Sequence, residues 1–134
     1  MYLNGKYIEQ SPFNTMARLT LTEIKRGESE DGDDVLEFIS ACGRRFKMFH
    51  EDDCCEHVYI DDICGDMDDL IGTPILLAEE SESDGNPKDN DDEYGSHTWT
   101  FYKLATINGA VTIRWYGVSN GYYSESVSFY EVTP

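Results

Sequence analysis

Soft and hard metal ligands occur together between His50 and Ile75. This run, HEDDCCEHVYIDDICGDMDDLIGTPI, holds three of the four cysteines and two of the three histidines of the chain, among many carboxylates. Thiolate and imidazole are the ligands that zinc prefers in proteins. The residue types therefore predict a transition-metal site, with zinc as the metal.

The predicted zinc ligands are His50, Cys54, Cys55 and Cys64. A turn can bring His50 close to Cys54, but along a continuous strand the ten residues from Cys54 to Cys64 would span about 33 Å. Cys64 can join the site only if the chain folds back near residues 61 and 62. Four protein ligands leave no open position for water, so the predicted zinc is structural.

Two further residues could complete this site. His57 is the substitute ligand if Cys64 lies too far away, and Asp53 could donate an oxygen. Calcium is a weaker prediction, because none of the aspartate-rich runs fits the twelve-residue EF-hand loop. Those runs are expected to be solvated loops.

A cysteine nucleophile is the enzymatic alternative, with Cys54 or Cys55 beside His50 or His57. The surrounding carboxylates oppose it, because negative charges raise the pKa of a thiol unless a metal holds the thiolate. The sequence also lacks a GxSxG motif, a P-loop and a dinucleotide fingerprint. We therefore predict no enzymatic activity.

Charge narrows the range of partners. The chain has 27 acidic and 10 basic residues in 134, for a formal net charge of -17. Such a protein repels nucleic-acid phosphates, and no direct nucleic-acid binding is expected. A basic protein surface is the predicted counterpart, although high charge also serves plain solubility.

The predicted contact surfaces are two acidic segments, residues 61–69 and the loop over residues 79–93. Their partner-binding candidates are Asp61, Asp62, Asp66, Asp68, Asp69, Glu79, Glu80 and Glu82.

Length and hydropathy predict a single domain over residues 1–134. No apolar run approaches the ~20 residues that cross a bilayer, and no membrane partner is expected. The first ten residues lack the apolar region of a secretory signal, so we predict a cytoplasmic protein. In that reducing compartment the cysteines should be metal ligands or free thiols rather than disulfides.

The elements that must position these residues are mainly strands. We predict an α+β, mostly β fold: antiparallel meander sheets of about six to seven strands, with one short helix. Predicted strands cover residues 17–26, 35–41, 45–50, 57–63 and, as a buried strand, 74–80. Asp66 should cap the helix over 67–71, and residues 81–96 should form a mobile acidic loop.

A hairpin over TWTFYKLATI and AVTIRWY is the clearest pattern. Asn108 and Gly109 are the predicted turn residues, since both tolerate positive φ. The predicted register sets Leu104 opposite Ile113, Tyr102 opposite Trp115 and Phe101 opposite Tyr116. A second turn at residues 120–121 should return the last strand against this hairpin, with a bulge near Gly117.

Two stretches, FHEDDCCEHVYIDDICGDMDDLIGTPILLAEE and HTWTFYKLATINGAVTIRWYGVSNGYYSES, carry a resemblance over roughly residues 35 to 130. They resemble a family of small acidic proteins of unknown function from phages and prophages of Gram-positive bacteria. At least one anti-CRISPR protein against type II-A Cas9 is counted among such zinc-binding phage proteins.

The resemblance implies an inhibitor that acts by binding Cas9, with zinc in a folding role. The alternative is a metal-binding phage accessory or structural module without an anti-defence role.

Overall fold

The computed structural model describes residues 2–3, 6–7, 10–52, 54–88 and 95–132. Its strands are β1 (Tyr2–Leu3), β2 (Lys6–Tyr7), β3 (Leu21–Glu28), β4 (Asp34–Ser40), β5 (Arg45–Phe49), β6 (His57–Cys64), β7 (Leu77–Ser83), β8 (Ser96–Thr106), β9 (Gly109–Ser119) and β10 (Ser128–Val132). Single 3-10 turns cover Phe13–Met16 and Met67–Leu70. In these ranges, no helix is long and apolar enough to cross a membrane.

Eight strands form two antiparallel four-stranded sheets, ordered β10-β5-β4-β3 and β6-β9-β8-β7, and β1 pairs with β2. The mostly β, antiparallel prediction is confirmed. The prediction of six to seven strands was too low for these two sheets. The predicted short helix is the single 3-10 turn at Met67–Leu70, which Asp66 caps by accepting a hydrogen bond from the backbone N–H of Asp68.

The meander β3-β4-β5 follows the predicted strands. Leu36 and Phe38 on β4 are buried and alternate with half-buried residues, as a strand with one face on the core requires. Leu36 pairs with Met48 of β5, and both side chains are fully buried. Gly43 supplies the positive φ of 91° in the turn between these strands.

The β8-β9 hairpin forms, but its predicted register was wrong by two residues. Thr106 pairs with Gly109, so Ile107 and Asn108 are the central turn residues. The hydroxyl of Thr106 accepts from the Asn108 N–H at 3.1 Å and donates to the Asp69 carbonyl at 2.5 Å, which fixes this turn. A two-residue slip keeps every side chain on its face, so the alternation in the sequence could not reveal it.

The pairs observed instead are Tyr102 opposite Ile113, Leu104 opposite Val111 and Phe101 opposite Arg114.

The last strand does not return to the hairpin. β10 crosses to the other sheet and pairs with β5, where Phe129 lies opposite Met48. Phe129 stacks on Phe46 with ring centroids 5.3 Å apart, and Val127 is buried just before the strand begins. Burial of these apolar side chains in the shared core outweighs the local preference for a third hairpin strand.

β7 is an edge strand rather than the buried strand predicted over residues 74–80. Ala78 is its one buried residue, and Leu76, just before it, is 63% exposed. The apolar run therefore contributes only two residues, Ile75 and Ala78, to the core.

One core joins the two sheets. The indole N–H of Trp115 donates to the Met48 sulfur at 3.3 Å, across the space between the sheets. Phe13 packs edge-on against Tyr102 of one sheet and Phe129 of the other. The connection from β5 to β6, residues 50–56, therefore passes from one packed sheet to the other.

Candidate metal centre and acidic surface

His50 begins the connection between the sheets and is 5% exposed. Its Nδ1 lies 2.7 Å from the carbonyl oxygen of Ser126. A carbonyl only accepts, so Nδ1 carries the proton. In the neutral ring Nε2 is then an acceptor with a lone pair, the form in which histidine binds metals.

Two carboxylates face this Nε2 atom. Glu56 Oε1 lies 3.0 Å away, and Asp52 Oδ1 lies 3.8 Å away. The Glu56 side chain is fully buried, and its other oxygen accepts from the backbone N–H of Cys54 at 3.2 Å. One atom from each of His50, Asp52 and Glu56 lies within 4.8 Å of the others, which is the spacing of a metal site.

Asp52 also belongs to a second group, with Asp31 and Asp33 of the β3-β4 turn. A hydrogen bond with the Asp33 side chain, together with burial and the negative charges of Asp33 and Glu56, raises the pKa of Asp52 to about 6, although His50 opposes this. Carboxyl groups therefore lie close together here, and the repulsion between their negative charges is reduced when a proton or a cation binds.

The predicted ligands Cys54, Cys55 and Cys64 do not join His50 in one cluster. Cys54 and Cys55 form a disulfide with each other, contrary to the expectation of free thiols, so neither is a thiolate. No cysteine belongs to either group of potential metal ligands among the described residues.

Cys64 lies at the far end of β6. The chain does not fold back near residues 61 and 62, since β6 runs from His57 to Cys64 with one bulge, and its ends are about 23 Å apart. The Cys64 thiol donates to the Asp62 carboxylate at 3.2 Å, and this hydrogen bond raises the pKa of the thiol.

Of the two substitute ligands, His57 is not brought to the site. His57 is exposed at the start of β6, and its ring packs on Tyr59 with centroids 4.7 Å apart. Asp53 lies outside the described residues.

Asp52, Glu56 and Asp33 are the candidates that sequence reasoning missed. A signal was present, since His50 ends the apolar alternation of β5 and is followed by acids at two and six residues. The cysteines between those acids drew attention because zinc prefers sulfur ligands.

Asp61, a predicted partner-binding residue, is engaged inside the protein. Its side chain is 10% exposed and contacts Lys88 at 2.5 Å and Arg114 at 2.7 Å. Burial alone would raise the pKa of Asp61, but hydrogen bonds from Lys88 and Arg114 outweigh it, and the pKa is lowered. Both carboxylate oxygens of Asp61 are therefore engaged within the protein.

The loop that supplies Lys88 is anchored in its described part, residues 84–88. The Trp99 indole donates to the Asn86 carbonyl at 2.9 Å, and the Tyr116 hydroxyl accepts from the Lys88 N–H at 3.1 Å. His97 also contacts the Gly85 carbonyl. The predicted mobile loop is thus fixed here, and residues 89–94 lie outside the described ranges.

The other acidic candidates differ in exposure. Asp62, Asp66 and Asp68 are exposed, whereas Asp69 is half-buried below the hairpin turn. Glu79, Glu80 and Glu82 are all exposed on the edge strand β7 and are named here the acidic edge. An open groove of about 800 Å³ separates β7 from residues 10–14.

A family model described as "Domain of unknown function (DUF7448)" matches residues 6–129. No curated protein and no solved structure is similar enough to the chain to count as a match.

Proposed function

The chain belongs to the DUF7448 family of unknown function, and from its geometry we propose a non-catalytic binding protein that inhibits a basic nucleic-acid enzyme of a bacterial host. The acidic edge carries this proposal. It presents three exposed glutamates within four residues of one strand, next to an open groove.

Charge supports a basic partner. A net charge of -17 creates a long-range field that speeds encounter with a positive surface and falls off with salt. Because Asp61 is neutralised by Lys88 and Arg114, the field at the surface comes from other acids. Among the described strands, the acidic edge of β7 carries the most closely spaced exposed acids.

The edge position of β7 supports a specific mode of binding. Among the described strands β7 pairs with β8, and no second partner follows it in the sheet order. An extended segment of a partner could add to this edge through main-chain hydrogen bonds. Glu79, Glu80 and Glu82 point to both faces of the sheet, so they would favour a segment rich in lysine and arginine.

Type II-A Cas9 is the proposed target, and the cytoplasm of the bacterial host the proposed place of action. Support comes from the resemblance to phage proteins and from the fit between an acidic domain and a channel that normally holds nucleic acid. Occupation of that channel would block nucleic-acid binding without any catalytic step.

The test is a pull-down with purified type II-A Cas9, eluted in stepped salt. We expect a complex that dissociates as salt rises and that the triple variant Glu79→Lys, Glu80→Lys, Glu82→Lys weakens at least tenfold. The matched control is Glu23→Lys, Glu28→Lys, Glu30→Lys, which makes the same charge change at exposed sites on and beside β3. Equal losses in both variants would show that net charge, not the acidic edge, drives binding.

A second candidate function is a metal-binding phage accessory module without an anti-defence role. The convergence of His50, Asp52 and Glu56 favours it. This function predicts metal binding with no salt-sensitive complex, so the same pull-down distinguishes the two. Failure to retain purified Cas9 would overturn the proposed target, and failure to retain any basic nuclease in a second pull-down, from a host lysate, would overturn the inhibitor proposal.

A further inference from the structure

We propose that His50, Asp52 and Glu56 bind one divalent transition-metal ion, Zn²⁺ or Mn²⁺. The ligand set differs from the four-residue set predicted from the sequence, of which only His50 remains. This site does not depend on the proposed inhibitor function.

The orientation of His50 is the first step of the argument. Nδ1 donates a hydrogen bond to the Ser126 carbonyl oxygen, 2.7 Å away, and this contact turns Nε2 toward the two carboxylates. A backbone carbonyl on the second ring nitrogen is the arrangement that fixes metal-binding histidines. Only 5% of His50 is exposed. The orientation of its ring is therefore set by packing against the protein rather than by solvent.

The second step is the position of the two carboxylates. Glu56 Oε1 lies 3.0 Å from Nε2, and Asp52 Oδ1 lies 3.8 Å from the same atom. One ligand atom from each of the three residues lies within 4.8 Å of the other two, which is close enough for a single cation to contact all three. The positive charge of such a cation would offset the two carboxylates beside the buried ring.

Ligand chemistry selects the metal. One imidazole nitrogen with two carboxylate oxygens suits Zn²⁺ and Mn²⁺, whereas Ca²⁺ prefers six to eight oxygens. A thiolate contribution is excluded for Cys54 and Cys55 by their disulfide, and Cys64 lies at the far end of β6.

The location gives the ion a structural effect. Asp33 belongs to the β3-β4 turn, His50 follows β5, and Glu56 precedes β6 in the other sheet. The neighbouring Asp34 carboxylate already accepts from the Ile60 N–H at 2.8 Å, which ties the same turn to β6. An ion bound at this point would join both sheets, and it would bind the folded chain far better than the unfolded one.

The first experiment titrates metal-free protein with Zn²⁺ and with Mn²⁺ by calorimetry and follows Tm. We expect one ion per chain and a rise in Tm of several degrees. Glu56→Gln and His50→Gln should weaken binding more than about tenfold. The control Asp66→Asn, Asp68→Asn removes two exposed acids away from the site and should leave affinity unchanged.

A second variant separates this site from a cysteine site. Cys54→Ser with Cys55→Ser should retain metal affinity within about twofold, whereas thiolate ligation requires its loss. Co²⁺ added to the wild-type protein should give no thiolate-to-cobalt charge-transfer band, a readout that needs no variant to fold. Absence of stoichiometric binding, or a strong charge-transfer band, would overturn the proposal whatever the pull-down shows.

Discussion

The carboxylates around His50 and the carboxylate of Asp61 are all at least partly buried, but their neighbours carry opposite charges. Asp61 receives two cations, Lys88 and Arg114, and its pKa is lowered. Asp52 contacts Asp33, and its pKa is raised to about 6. A buried carboxylate is therefore part of an internal ion pair where positively charged side chains lie beside it, and a candidate metal ligand where they do not. The residue type alone does not distinguish the two.

The difference arises from which segments meet. Lys88 and Arg114 come from the loop after β7 and from β9, far from Asp61 in sequence. The segments 31–34 and 50–56 that build the His50 cluster contain no lysine or arginine. Local composition therefore leaves one cluster without a cation, whereas the tertiary fold brings two to the other.

Removal of Asp61 should have the largest effect on stability. Asp61→Ala leaves Lys88 and Arg114 without their shared carboxylate and should lower the free energy of unfolding by about 2 kcal/mol, after allowance for their partial exposure. Urea denaturation measures it. Asp62→Ala is the control, since Asp62 is half exposed and lies 3.8 Å from Arg114. If Asp62→Ala lowered the free energy of unfolding by as much as Asp61→Ala, the two aspartates would not differ in their contribution to stability.

Removal of one acid from the His50 cluster should act in the opposite direction. In metal-free protein Asp52→Asn relieves the contact with Asp33 and should raise the free energy of unfolding by at most about 1 kcal/mol, because Asp52 is partly exposed. With Zn²⁺ or Mn²⁺ present, the same change should lower Tm relative to the wild type. A destabilised metal-free variant would mean that Asp52 is satisfied without an ion.

Much of the fold could be predicted from the sequence, because strands bury alternate residues. The meander β3-β4-β5 and the existence of the β8-β9 hairpin followed from that pattern. The position of the turn did not, because the Thr106 contact with Asp69 spans 37 residues. The crossing of β10 to the other sheet depends on the packing of Phe129, which local patterns do not encode.

The candidate site was harder to predict. His50 was identified because its residue type carries metal chemistry in any context. Asp52 and Glu56 were missed because acids are abundant in this chain, and only the fold shows which of them meet a buried ring. Cys64 was misplaced because the straight course of β6 is set by its pairing with β9.

Low pH should further distinguish Asp61 from the His50 cluster. The expected change in the free energy of unfolding is smaller than that caused by either substitution above. The folded-state pKa of Asp61 lies below its ordinary value of 3.8. At pH values between these two pKa values, the unfolded chain therefore binds more protons than the folded chain. The stabilisation by Asp61 is present above pH 4 and is lost as the pH falls through the folded-state pKa. The stability difference between wild type and Asp61→Asn should therefore be constant from pH 7 to 5 and shrink below pH 4.

Urea denaturation at each pH measures that difference. Glu131→Gln gives a matched case, because the hydrogen bond from Arg44 lowers the pKa of Glu131 in the same way. A difference between wild type and Asp61→Asn that persists unchanged to pH 3 would show that the contact with Lys88 and Arg114 is not electrostatic.

Charge reversal on the acidic edge should have the smallest effect on folding. Glu82→Lys changes an exposed side chain on an edge strand, and Tm should shift by less than about 2 °C. Because the exposed carboxylate of Glu82 contributes to the surface field, the same change should weaken the salt-sensitive complex. Calorimetric scans and the pull-down measure the two effects separately. A large loss of Tm would place Glu82 among the residues that hold the fold, with Asp61, rather than among those that meet a partner.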